Sequence, residues 1–278
     1  VHLRGAGDGR RGARPVGPVG GGAGGAVAWG RPVLPFVIVD SGGFPHAETE
    51  ARVAMELATA ERDATAASWV ANNRGIICLH QGRFAEGRIL FGQAILGFRE
   101  AGNRGSEASA LSNLSRAHLG AGNVAEAVEI AQKGLAVYIE LGRTMRLANG
   151  HFAVGVALTK AGRHREALGQ FSEALAIFGD HRQRLWEGAT NFRIAEVHMA
   201  AHRPTEAAQH AEQALALGCI GGDRMRGNVL TLLGRALSAL GQADRAKACW
   251  REALNLYEQN CASEASEVKA LLNSAAAA

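Results

Sequence analysis

An all-α solenoid of stacked helix hairpins is the fold predicted by this 278-residue sequence, and three observations predict it. First, a turn glycine returns at Gly42, Gly82, Gly122, Gly162 and Gly241, with His202 in the place before the last, at intervals of 40, 40, 40, 40 and 39 residues. Second, three columns follow each turn. The first is Ala47, Gly87, Ala127, Ala167, Ala207 and Ala246; the second is Ala51, Phe91, Ala131, Phe171, Ala211 and Trp250; the third is Ala54, Ala94, Gly134, Ala174, Ala214 and Ala253. Steps of four and three hold these columns on one stripe of a helix. Third, aromatic residues make up 5% of the chain while glycine alone contributes 36 residues. That balance favours close helix packing through small side chains over a sandwich of aromatic and β-branched strands.

Taken in order, residues 1–31 read as a disordered Gly/Arg-rich tail. Eleven of the first thirty residues are glycine, and no apolar period is present to repay the entropy of ordering. The tail also carries the chain's charge excess. Arg4, Arg10, Arg11, Arg14 and Arg31 stand against Asp8, five minus one, which equals the formal +4 of the whole sequence. The remaining residues balance, so the folded part has no basic face for nucleic acid. Gly20, Gly22 and Gly25 spell GxGxxG, but the strand and helix that make such a run a dinucleotide site are missing around it. The tail's Arg-then-apolar order imitates a secretory signal only faintly, because Pro15 and Pro18 interrupt it.

Residues 32–62 read as a half-repeat. The second-helix columns are present, yet the first helix would fall on "RPVLPFVIVD", where Pro32 and Pro35 remove amide donors and clash with the preceding turn. Val33 to Val39 are therefore expected to run extended over the end of the stack. Residues 63–262 make five hairpins, and 263–278, beginning "SEASEVKALLNS", make a capping helix and tail. In each hairpin a first helix precedes the turn glycine, as in "ALSNLSRAHLG", with small residues at Gly75, Ser115, Gly155, Ala195 and Gly234 where the two helices approach. An aromatic column at Phe98, Tyr138, Phe178 and Tyr257 is broken by Gly218. A lone hairpin cannot bury such a stripe, so the units must stack.

This pattern resembles the tetratricopeptide repeat over about residues 42 to 272, with a small residue late in the first helix and alanine, an aromatic and alanine in the second. The standard repeat is about 34 residues long; these are longer by most of two helical turns. The longer variety is similar to the C-terminal helical-repeat region of bacterial transcription regulators of the SARP type with a central NB-ARC ATPase domain, notably in "SNLSRAHLGAGNVAEAVEIAQKGLAVYIELG". The resemblance implies a right-handed solenoid and a regulatory interaction module. No GxxxxGK[ST] or basic recognition helix occurs in the sequence, so neither ATPase nor DNA-binding activity is carried over.

Chemistry-bearing clusters are sparse. His198 and His202 are four apart, but His202 sits in the turn column, and His118 and His198 share a packing column with Cys78, Leu158 and Leu237. Two repeats of helix packing separate the latter pair by roughly 20 Å, too far to share an ion. There is no GxSxG elbow and no Cys-His couple. Cys78, Cys219, Cys249 and Cys261 lack ligand-like spacing and read as reduced thiols of a cytoplasmic protein. No catalytic residue, metal or cofactor is expected, and no run reaches membrane-spanning length.

What remains is the concave wall, lined in tetratricopeptide solenoids by first-helix residues outside the packing columns. Carried over residue by residue, these are Asn72, Asn73, Ile76, Asn113, Arg116, Asn149, Phe152, Phe192, Arg193 and Arg235, with Trp69, Val156, Glu196 and Asn228 beside them. Amides that pair with a peptide backbone and arginines that grip a carboxylate suit a protein or peptide segment. The expectation is a non-enzymatic regulatory interaction module. An oligomeric structural scaffold or adaptor is the alternative, and direct nucleic-acid binding ranks below both.

Overall fold

Helical pattern becomes helix throughout the computed structural model, which describes residues 44–142, 144–218, 222–259 and 263–277. Twelve helices and no strand occur among the described residues. The helix α1 (Phe44–Ala60) stands alone. Five hairpins follow: α2 (Ala64–His80) with α3 (Phe84–Glu100), α4 (Arg104–Gly120) with α5 (Val124–Leu141), α6 (Thr144–Lys160) with α7 (His164–Asp180), α8 (Arg184–Ala200) with α9 (Pro204–Leu217), and α10 (Gly222–Ala239) with α11 (Ala243–Gln259). A last helix, α12 (Ala265–Ala277), packs on α11. The expectations for the tail at 1–31 and for Val33 to Val39 lie outside the described residues.

The chain turns every 20 residues, twice as often as the glycine column alone reveals. Left-handed backbone occurs at Arg62, Gly82, Gly102, Gly122, Gly142, Gly162, Arg182, His202, Gly222 and Gly241. His202 at φ +57° thus keeps the glycine geometry of its column despite its side chain. Asp63 and Asn103 close their turns by accepting hydrogen bonds from the amides of Ala66 and Ser106, at 2.8 and 3.2 Å.

Within a hairpin the two small-residue columns fit as matched pairs. A Cβ on Gly75 would lie 2.6 Å from the Phe91 ring, and one on Gly155 would lie 2.7 Å from Phe171. Gly234 likewise makes room for Trp250, whose Nε1 donates to the Thr231 carbonyl at 3.2 Å. Where the second helix carries Ala131 instead of a ring, the first carries Ser115, whose hydroxyl donates to the Ala127 carbonyl at 2.8 Å. Ala195 and Ala211 form the remaining pair, both fully buried.

The aromatic column also acquires partners. Tyr138 shares a hydrogen bond with Ser109 at 2.7 Å, and Tyr257 donates to Asn228 at 2.7 Å. At the break in that column α9 stops short, and the Gly218 carbonyl comes so close to α8 that no side chain fits at Gly188. First helices of successive hairpins touch one another, whereas second helices of successive hairpins make at most marginal contact. The first helices therefore line the inner, more tightly curved wall. That placement creates a groove.

Candidate partner-binding groove

Each first helix is held by its own second helix and by the second helix before it, which leaves one stripe free to face inward. The ten predicted residues divide there into two groups. Asn72, Asn73 and Phe192 are buried, at 4%, 0% and 6% exposure, so they serve the packing between first helices and not the groove surface. Ile76, Asn113, Asn149, Phe152 and Arg193 are half-buried, and Arg116 and Arg235 are exposed.

The amides form a short row across two hairpins. Asn113 donates through Nδ2 to Asn72 Oδ1 at 3.2 Å, and Asn72 Nδ2 lies 3.5 Å from Asn73 Oδ1. Asn149 Oδ1 is buried without a hydrogen-bond partner among the described residues. Phe152 meets the rings of Phe171 and Trp186 edge-on at 5.9 and 5.7 Å, and Trp186 stacks on Phe178 at 5.5 Å. This aromatic cluster stiffens the middle of the wall. Sequence reasoning missed Trp186, because it lies in the first turn of α8 and outside the groove columns.

The arginines differ in what already occupies them. Arg193 donates to Glu196 at 2.7 Å and lies 5.3 Å from the centre of the Phe192 ring. Arg235 is engaged by Glu267 of α12, so the final helix occupies it and it is no open groove cation. Arg116 has no hydrogen bond or ion pair to any described residue. Its side chain reaches solvent at the floor of the concavity; partial exclusion of water there, and then the nearby charge of Arg193, lower its pKa.

Elsewhere the chemistry is structural. His198 stacks on His210 with centroids 5.5 Å apart and not on His118, and His210 Nδ1 bonds Asn191 Oδ1 at 2.8 Å. Burial lowers the pKa of both rings. No group of three or more potential metal ligands converges among the described residues, and no described helix is long and apolar enough to cross a membrane. A cavity of about 930 Å³ lies between α1, α2 and α3, lined by Glu48, Arg52, Met55, Arg74 and Cys78 among others. Glu48 pairs there with Arg83 at 2.5 Å and not with Arg52 on its own helix.

The family described as the tetratricopeptide repeat matches residues 64–140 and 186–259. The regulatory protein AfsR of Streptomyces coelicolor is 71% identical over 242 residues, covering 87% of this chain and 24% of that protein. Its namesake in Streptomyces griseus is 43% identical over 251 residues, covering 90% and 25%. The chain thus spans about a quarter of the length of these curated relatives. Among solved structures, the Rap conjugation gene regulator of the plasmid pLS20, in complex with the Phr* peptide, superposes with a TM-score of 0.63 at 15% identity, over 78% of this chain and 59% of that one.

Proposed function

The chain belongs to the tetratricopeptide-repeat family, and from that premise we propose that it is a non-enzymatic regulatory module that takes a protein or peptide segment into its inner groove. The observation that carries this reading is the inward stripe of the first helices, where Ile76, the unpaired Arg116 and Val156 stand in register from hairpin to hairpin beside the half-buried amides of Asn113 and Asn149. An extended segment offers backbone groups to the amides and side chains to the spaces between helices. Support comes from the AfsR proteins, regulators by name, and from the Rap gene regulator, which shares the fold and was solved with a peptide. Its place of action is the cytoplasm, where the free thiols of Cys78 and Cys249 stay reduced.

The alternative, an oligomeric scaffold, has one specific observation in its favour. Ile89 and Leu96 on α3 and Ile139 on α5 are exposed at 63%, 58% and 59%. A photo-crosslinking residue placed at Val156 in the groove, and separately at Leu96 outside it, separates the two. Adducts with another polypeptide from Val156 alone are expected; adducts from Leu96 alone, of twice the chain's mass, would replace the groove with a self-association surface.

A further inference from the structure

The row of inner-wall positions late in each first helix reads Ile76, Arg116, Val156, Glu196 and Arg235 from one hairpin to the next. Its C-terminal end is satisfied internally, since Glu196 takes Arg193 and Arg235 takes Glu267. Its N-terminal half is a different surface. Arg116 is exposed and has no partner among the described residues, and the half-buried aliphatic side chains of Ile76 and Val156 flank it one hairpin away on either side.

We propose that this half of the groove is a subsite for an extended peptide bearing a side-chain carboxylate, seated on Arg116, with an aliphatic residue about three positions away on each side, seated on Ile76 and Val156. The proposal rests on the groove reading above and specifies its ligand. The spacing follows from geometry: packed helices stand roughly 8–10 Å apart and an extended chain rises about 3.3 Å per residue, so adjacent hairpins are met about every third residue. The charge follows from Arg116 itself. A guanidinium that has no carboxylate of its own chain and stands between two aliphatic side chains gains more from an incoming carboxylate than one already paired does. Glu196 is held by Arg193 and so is not free to fill that role from within the chain. The Asn113 amide, bonded on one side to Asn72 and three residues before Arg116, is placed to meet the backbone of the same segment.

The test uses the full 278-residue chain at low salt and three nine-residue, acetylated and amidated fluorescent peptides. The first has a central glutamate with leucine three residues away on both sides and serine elsewhere; its symmetry makes the direction of binding immaterial. The second has glutamine at the centre, and the third has serine for both leucines. The glutamate peptide should bind about tenfold or more tightly than either control, and Arg116→Gln should remove its advantage over the glutamine peptide while leaving the affinity of the glutamine peptide unchanged. Arg184→Gln, away from the row, should change nothing, and circular dichroism checks that both variants remain helical. Equal binding of the glutamate and glutamine peptides, abolished by Val156→Lys, would overturn the carboxylate subsite and keep the groove. Binding indifferent to both Arg116→Gln and Val156→Lys, or no binding of any peptide at millimolar concentration, would overturn the subsite together with the groove.

Discussion

Glu107 lies almost wholly out of solvent at 1% side-chain exposure, yet the two arginines that neutralise it, Arg99 and Arg104, remain 58% and 41% exposed. Arg99 donates twice to Glu107 Oε1, at 2.9 and 2.7 Å, and Arg104 donates to Oε2 at 2.5 Å, tying α3 to the start of α4. The asymmetry sets the expected cost of breaking the pair. Removing both arginines strands a buried carboxylate, so Arg99→Ala/Arg104→Ala should cost about 3–5 kcal/mol in chemical denaturation. Glu107→Leu releases the arginines to water and should cost less; the reverse order would show that Glu107 is not the desolvated partner. The His198 and His210 pair gives a pH prediction. Burial lowers the pKa of both rings, so well above about pH 6.5 folded and unfolded chains bind the same protons and the pair costs nothing. Below that pH the unfolded chain takes up protons that the folded pair refuses, and stability falls. Glu206 and Arg203 act on His198 in opposite senses and leave burial as the dominant cause. The drop in melting temperature between pH 7.5 and 5 should therefore be smaller in His198→Leu, which places here the residue that holds this column at Leu158 and Leu237. An identical drop in both proteins would assign the effect elsewhere.

At the scale of helices, α12 contributes more than a covering. Val268 is buried at 1% in one cluster with Trp250 and Tyr257, and Leu271 and Leu272 pack against it. Three ion pairs fasten the segment to its neighbours: Arg224 to Glu264, Arg235 to Glu267 and Lys269 to Glu258. Deleting residues 263–278 should lower the melting temperature and promote self-association through the uncovered face, read by light scattering. A truncated chain that melts at the same temperature and stays monomeric would show the helix to be dispensable. The amphipathic stripe of α12 was legible in the sequence because burial on one helix face leaves a period. Its capture of Arg235 was not, since periodicity reports which face a residue occupies and not which side chain arrives from another helix. The same limit explains Asn72 and Phe192, which sit on the inward stripe by register and are yet covered by their neighbours. The Gly218 break was visible as a missing aromatic; that the backbone moves in to fill the gap against Gly188 depends on a helix 30 residues away.

Across the whole molecule, each hairpin is packed only against its neighbours in the sequence, so stability should be distributed and not shared all-or-none. Native-state hydrogen exchange should show protection rising from α1 towards α4 to α7 and falling again at α12, because the two end helices have a neighbouring hairpin on one side only. Uniform protection along the chain would mean a single cooperative unit. The fitted pairs inside the hairpins bear on heredity as well as on packing. At Gly75 with Phe91, Gly155 with Phe171 and Gly234 with Trp250 the choice is glycine with a ring; at Ser115 with Ala131 and Ala195 with Ala211 it is a small side chain with alanine. Ten positions thus hold five decisions. A mutation at either member erases half a message that its partner still carries, so descendants of this chain should drift through these columns two residues at a time.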